Sequence, residues 1–134
     1  MDTGKSALGL DGNVAAALGY PIGIIAIISL IMEKENRFVK FHALQSILLH
    51  VAFIIVAIVV WIVGVILVIV GLAASAATNS SAFGGLFSML FGLIWLVVIA
   101  GYIGGLIYAA VKAYGGEKLM LPVVGAMADK WTGN

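Results

Sequence analysis

The sequence has no cysteine, and charge is scarce: seven Lys or Arg and six Asp or Glu in 134 residues. Without cysteine there is no disulfide, no thiol nucleophile and no thiolate-held metal. With so few charges the chain could not cover a water-facing surface, for which about a quarter of the residues is usual. A net charge of +1 and the lack of any Lys/Arg-rich run exclude a nucleic-acid partner. Neither a basic segment nor an A-x-A site precedes the first apolar run, so a cleavable signal peptide is not expected and the first helix serves as its own insertion signal.

What is present is apolar, 63% of the residues with a mean hydropathy of +1.21. Three apolar runs, at about 14–32, 41–74 and 86–114, each reach the roughly 18 residues that mark a spanning helix. The expected fold is all-α, one domain over 1–134, with three transmembrane helices in the lipid bilayer. A short amphipathic helix should follow over about 120–131 and lie in the interface, because Met120, Val124, Met127, Ala128 and Trp131 share a face. Pro21 falls in the first turns of run one if that helix begins near Val14. If Asp11 or Asn13 caps the helix, Pro21 lies further in and should kink it.

Basic residues set the expected orientation. Lys34, Arg37 and Lys40 lie between runs one and two, Lys112, Lys118 and Lys130 come at or after the end of run three, and Lys5 alone precedes run one. The positive-inside rule then places the chain in the cell (inner) membrane with the N-terminus outside and the C-terminus cytoplasmic. Runs two and three outreach the bilayer, since about 32 residues of helix span about 48 Å against a hydrocarbon core of about 30 Å. Counted inward from the uncharged loop between them, they should leave the hydrocarbon near Phe53 and Leu106.

That excess length gives meaning to EKENRFVKFHALQS, residues 33–46, where polar groups run into an apolar helix. His42, Gln45, Ser46, Leu49 and His50 fall within an arc of about 140° on the cytoplasmic extension of helix two. They form either a polar cluster with Tyr108 and Lys112 of run three or, with Glu33, Glu35, Arg37 and Lys40, a surface for a partner. His42 and His50 are about 12 Å apart along the helix, too far to share a metal, so no metal or cofactor is expected. Glu33, Glu35, Glu117 and Asp129 are flanked by basic residues and read as solvated charges. No Ser/His/Asp set, carboxylate pair or phosphate loop appears, and the chain is not expected to be an enzyme.

Small residues recur every fourth position as Ala15, Gly19 and Gly23, and as Gly101, Gly105 and Ala109 beside Gly104. Such stripes let helix backbones approach in lipid. They could pack within one chain or between chains, so another copy or another membrane protein is an expected partner. Asn79-Ser80-Ser81 matches the glycosylation sequon but lies too close to the membrane ends for occupancy to be expected.

Four pieces of sequence carry a resemblance: the acidic-basic loop, the F-H-A-x-Q of Phe41 to Gln45, the L-G-Y-P-x-G of Leu18 to Gly23, and the L-P-x-x-G of Leu121 to Gly125. Together they resemble a family of small prokaryotic membrane proteins grouped with the Tic-type import component of the chloroplast inner envelope and including magnetosome proteins of the MamF/MmsF type. The resemblance implies a membrane location and a helical fold rather than a reaction. It departs from the four helices of the chloroplast relatives, since this chain offers three and a short segment. The favoured expectation is a non-enzymatic subunit, homo-oligomeric or accessory, with a component of a transport or protein-translocation channel as the alternative.

Overall fold

The computed structural model describes residues 3–133, and among them the fold is all-helical. Five helices follow in order: α1 Gly12–Gly19, α2 Gly23–Met32, α3 Arg37–Thr78, α4 Ala82–Tyr114 and α5 Val124–Trp131. Helices α3 and α4, of 42 and 33 residues, are long and apolar enough to cross a membrane. The chain divides into two compact units, residues 53–102 and the remainder, and α3 and α4 contribute to both.

The unit of residues 53–102 contains no Asp, Glu, Lys, Arg or His. With no hydrophobic drive between helices in lipid, pairing there depends on close packing. Two glycines of α3 supply it: a Cβ on Gly64 would overlap the Phe91 ring, and one on Gly71 would lie 2.8 Å from Phe87 Cβ. Phe53 stacks on Tyr102 with ring centroids 3.9 Å apart. At the far turn Asn79 adopts φ 52°, and the Ser80 amide returns to the Ser75 carbonyl at 3.1 Å. A left-handed residue after the helix end with this six-residue return is the Schellman stop, and Asn tolerates it better than most residues.

In the other unit, run one is not a single span. It breaks at Tyr20 to Ile22 into α1 and α2, of 8 and 10 residues, about 12 and 15 Å long. Pro21 is the cause, since it lacks an N–H and its ring crowds the preceding turn; the N-cap is Asp11, so the proline falls well inside. The two pieces fold back on each other. A Cβ on Gly12, at the start of α1, would come within 3.0 Å of Asn36 Nδ2, just beyond α2, whereas a straight helix would separate those positions by about 36 Å.

A clamp holds the hairpin shut. Asn36 caps α3 by accepting the Val39 amide at 3.2 Å and donates to the Thr3 and Lys5 carbonyls at 2.7 and 3.2 Å. Glu33 accepts the amides of Ala7 and Asn36 at 2.8 and 3.1 Å. Asn13 Nδ2 donates to the Tyr114 carbonyl at 2.8 Å. The N-terminal segment thus lies with the start of α3 and the end of α4. Glu33, expected as a solvated charge, is only 6% exposed, because two backbone donors replace its water.

The C-terminal helix is also differently disposed. Residues 122 and 123 form a turn, α5 begins at Val124, and the expected apolar face divides: Val124 and Ala128 are buried while Met120, Met127 and Trp131 remain exposed. Packing on the rest of the unit takes one side of this helix before any interface can.

Candidate functional site

The first turns of α3 are the most enclosed part of this unit. Val39, Phe41, Ala43, His42, Gln45 and Ser46 are all at most 2% exposed. The facing wall is apolar and small, built from Ala16 and Tyr20 with Ala109 and Ala113 of α4. Into it α3 turns three polar side chains, each of which must find an internal partner or lose its hydration without return.

They find Tyr20 and the Gly19 carbonyl at the helix break, and the connector after α4. Tyr20 Oη lies 2.9 Å from His42 Nδ1, and His42 Nε2 lies 3.1 Å from the Glu117 carbonyl oxygen. Gln45 Nε2 donates to Tyr20 Oη at 2.6 Å and to the Leu119 carbonyl at 3.0 Å. Gln45 Oε1 accepts the Leu121 amide at 2.9 Å. Ser46 Oγ donates to the Gly19 carbonyl at 2.8 Å, a group that the break at Pro21 removes from a continuous helical ladder.

The partners dictate the direction of every proton. The Glu117 carbonyl can only accept, so His42 carries a hydrogen on Nε2; in the neutral ring Nδ1 then accepts from the Tyr20 hydroxyl, whose oxygen accepts from Gln45. The order of donation runs from the Leu121 amide to Gln45, to Tyr20, to His42, to the Glu117 carbonyl, with no group left over. Burial raises the Tyr20 phenol far above its ordinary range, against a smaller lowering by the Gln45 hydrogen bond, so the hydroxyl keeps the proton it donates. Edges and faces of aromatic rings enclose the imidazole, with the Phe38 and Phe41 centroids at 4.6 and 5.0 Å. Outside them Lys118 lies over the Phe41 ring at 4.9 Å and pairs with Asp129.

Gly125 closes the site from α5. A Cβ there would stand 2.6 Å from Gln45 Oε1 and 2.8 Å from the Met120 backbone, so no other residue fits without moving the connector. The turn before it is strained: Val123 has φ 65° and ψ −64°, and the Val124 amide bonds the Pro122 carbonyl at 2.8 Å. That is a γ-turn of the rare hand, at a β-branched residue.

Of the residues singled out from sequence, His42, Gln45 and Ser46 come together in this site. His50 is half-buried one turn on; its Nδ1 donates to the Ser46 carbonyl at 2.7 Å and its ring rests against Gly23. Tyr108 is 53% exposed, and Lys112 bonds both Glu117 carboxylate oxygens at 3.1 and 3.0 Å instead. The expected partners from run three are replaced because α4 turns Ala109 and Ala113 inward, which rotates Tyr108 about 100° away. Ala15, Gly19 and Ala109 are buried, while Gly101, Gly104 and Gly105 have nothing within 4 Å of an added Cβ.

Tyr20 and Gly125, with the backbone of Leu119 and Leu121, complete the cluster beyond the residues that helical periodicity points to. A signal existed for two of them: a hydroxyl-bearing ring next to a helix-breaking proline, and a glycine three residues after Pro122. The L-G-Y-P, F-H-A-x-Q and L-P-x-x-G strings are three sides of one cluster.

Comparison with known proteins places this geometry in a context. Residues 7–128 match the sequence pattern of the MamF/MmsF group, described as the magnetosome magnetite crystal formation protein family. A UPF0132 membrane protein of Methanocaldococcus jannaschii is 36% identical over 130 residues, covering 96% of each chain. One from Archaeoglobus fulgidus is 37% identical over 126 residues, covering 90% of this chain and 95% of its own. A second from M. jannaschii is 30% identical over 126 residues, covering 93% of this chain and 73% of its own. No solved structure matches the chain.

Proposed function

The chain belongs to the magnetosome magnetite crystal formation protein family, and we propose that it acts as a non-enzymatic membrane subunit, assembling with copies of itself or with another membrane protein. The observation that carries this reading is the stripe on α4 where, among the described residues, a Cβ added to Gly101, Gly104 or Gly105 would meet nothing within 4 Å. Inside residues 53–102, glycines of α3 already serve as notches for Phe87 and Phe91. An equivalent stripe without an occupant is suited to a second helix, since close backbone approach is what favours helix pairing in lipid.

The buried hydrogen-bond chain supports the non-enzymatic half of the proposal. Both His42 nitrogens and all Gln45 polar atoms are engaged internally, which suits a clasp that holds α1, α3 and the connector together. As for orientation, all seven Lys and Arg lie outside residues 53–102. The N-terminal segment, the 33–36 linker and the connector share one end of their unit, and by the positive-inside rule that end is cytoplasmic. The α1–α2 hairpin, with an exposed isoleucine face, then enters the inner leaflet without crossing.

Native mass spectrometry after mild-detergent extraction tests the proposal. The expected result is an oligomer or a co-purifying membrane protein, lost in Gly104→Leu with the fold retained; a lone wild-type monomer overturns it. Conductance or protein flux in liposomes, abolished by Gln45→Ala, would instead favour the translocation role suggested by the Tic-type likeness.

A further inference from the structure

A cleft of about 1360 Å3 opens in the charged unit, walled by residues 3–7, 32–38 and 115–118. Most of its charges are already matched. Lys5 pairs with Asp11, Lys118 with Asp129, and Glu117 with Lys112. Glu33 is taken up by the amides of Ala7 and Asn36. Lys34 and Arg37 remain: both are exposed on the wall, and among the described residues neither side chain has an ion-pair or hydrogen-bond partner. Glu35, also exposed and unpaired, and the buried Glu33 carboxylate equal them in number, so Lys34 and Arg37 stand out by exposure and lack of a partner rather than by net charge.

The chain just before these cations has the opposite character. Ile24, Ile27, Ile28 and Ile31 repeat at i, i+3, i+4 and i+7 along α2 and are 39–74% exposed. Met32, half exposed, belongs both to the end of that face and to the cleft wall. A row of isoleucines facing outward is compatible with hydrocarbon and costly in water. Within about 14 residues the surface therefore passes from an acyl-like face to two unmatched cations around a cavity. A glycerophospholipid has its parts in the same order, chain first and phosphate next.

We infer that the cleft binds the headgroup of an anionic glycerophospholipid, its phosphate held by Lys34 and Arg37 and an acyl chain lying on the isoleucine face of α2. Arg37 offers a planar fork that matches two phosphate oxygens, and Lys34 a compact point charge three residues away. The level is right for a headgroup, since basic residues beside a membrane act on anionic lipids over about a Debye length. The inference depends on membrane residence, not on the subunit role proposed above.

The test uses the full chain in nanodiscs, with bound lipid read by native mass spectrometry as phosphatidylglycerol replaces zwitterionic phosphatidylcholine. Phosphatidylglycerol is expected to be retained preferentially. Lys34→Gln and Arg37→Gln should each weaken that preference about five-fold, whereas Lys130→Gln, which alters a cation outside the cleft, should leave it unchanged. Thermal unfolding of the Gln variants in phosphatidylcholine reports folding, and it should match wild type because neither side chain has an internal partner. Equal retention of the two lipids, or Gln variants that retain phosphatidylglycerol like wild type, overturns the inference. Inorganic phosphate is the second arm: if it protects the detergent-solubilised protein from unfolding and phosphatidylglycerol shows no preference, the source is a soluble phosphate and the lipid assignment fails.

Discussion

The Tyr20 hydroxyl donates to Nδ1 of His42 at 2.9 Å, joining the break between α1 and α2 to the first turns of α3. Tyr20 is completely buried, and its oxygen also receives Gln45 Nε2. One hydroxyl therefore satisfies two neighbours. Its removal should be felt well beyond a single hydrogen bond.

Tyr20→Phe keeps the ring and deletes that hydroxyl, leaving His42 Nδ1 and one Gln45 N–H without partners in a buried site. The expected loss is about 1–3 kcal/mol, visible as a clear fall in the thermal midpoint in detergent. A midpoint within a degree of wild type would show that the chain of hydrogen bonds does not hold the unit together.

Gly125→Ala and Gly85→Ala form a matched pair. The first places a methyl group 2.6 Å from Gln45 Oε1, and the second meets nothing within 4 Å. Overpacking should cost Gly125→Ala about 1–3 kcal/mol. Gly85→Ala should be neutral or stabilising by up to about 1 kcal/mol, since alanine is favoured over glycine within a helix. Equal midpoints for the two variants would contradict the packing described.

Sidedness can be read by thiol labelling, because the chain has no cysteine of its own. Ala7→Cys and Lys130→Cys are expected to react from the same side of sealed vesicles, and Asn79→Cys from the other. A single span over run one would put Ala7→Cys with Asn79→Cys instead.

Val123 occupies a left-handed γ-turn at φ 65°, a conformation costing a β-branched residue about 1–3 kcal/mol. Val123→Gly should relieve that strain while adding roughly 1 kcal/mol of unfolded-state freedom. The net expectation is an unchanged or higher thermal midpoint, although 74% exposure of the valine means little packing is lost. A marked destabilisation would show that the valine side chain matters more than the backbone it strains.

Much of this architecture is legible in the order of residues. The two long helices follow from apolar runs uninterrupted by charge, and the break in run one from a proline that cannot continue a helix. The inward stripe of His42, Gln45 and Ser46 follows from helical periodicity, which ties neighbours three and four positions apart. Periodicity fails where a partner lies far along the chain. Tyr20 is 22 residues before His42, and the connector groups that Gln45 bonds lie 74 and 76 residues after it.

Sequence alone determined that the chain is helical, apolar and membrane-bound, because those properties depend on composition and local spacing. Tertiary structure decided that run one doubles back, that Glu33 is buried and that Tyr20, not Tyr108, completes the cluster. Each of these depends on which distant donor meets which buried acceptor. That matching is a property of the folded chain, since a polar group shielded from water is stable only where another segment arrives to pair with it.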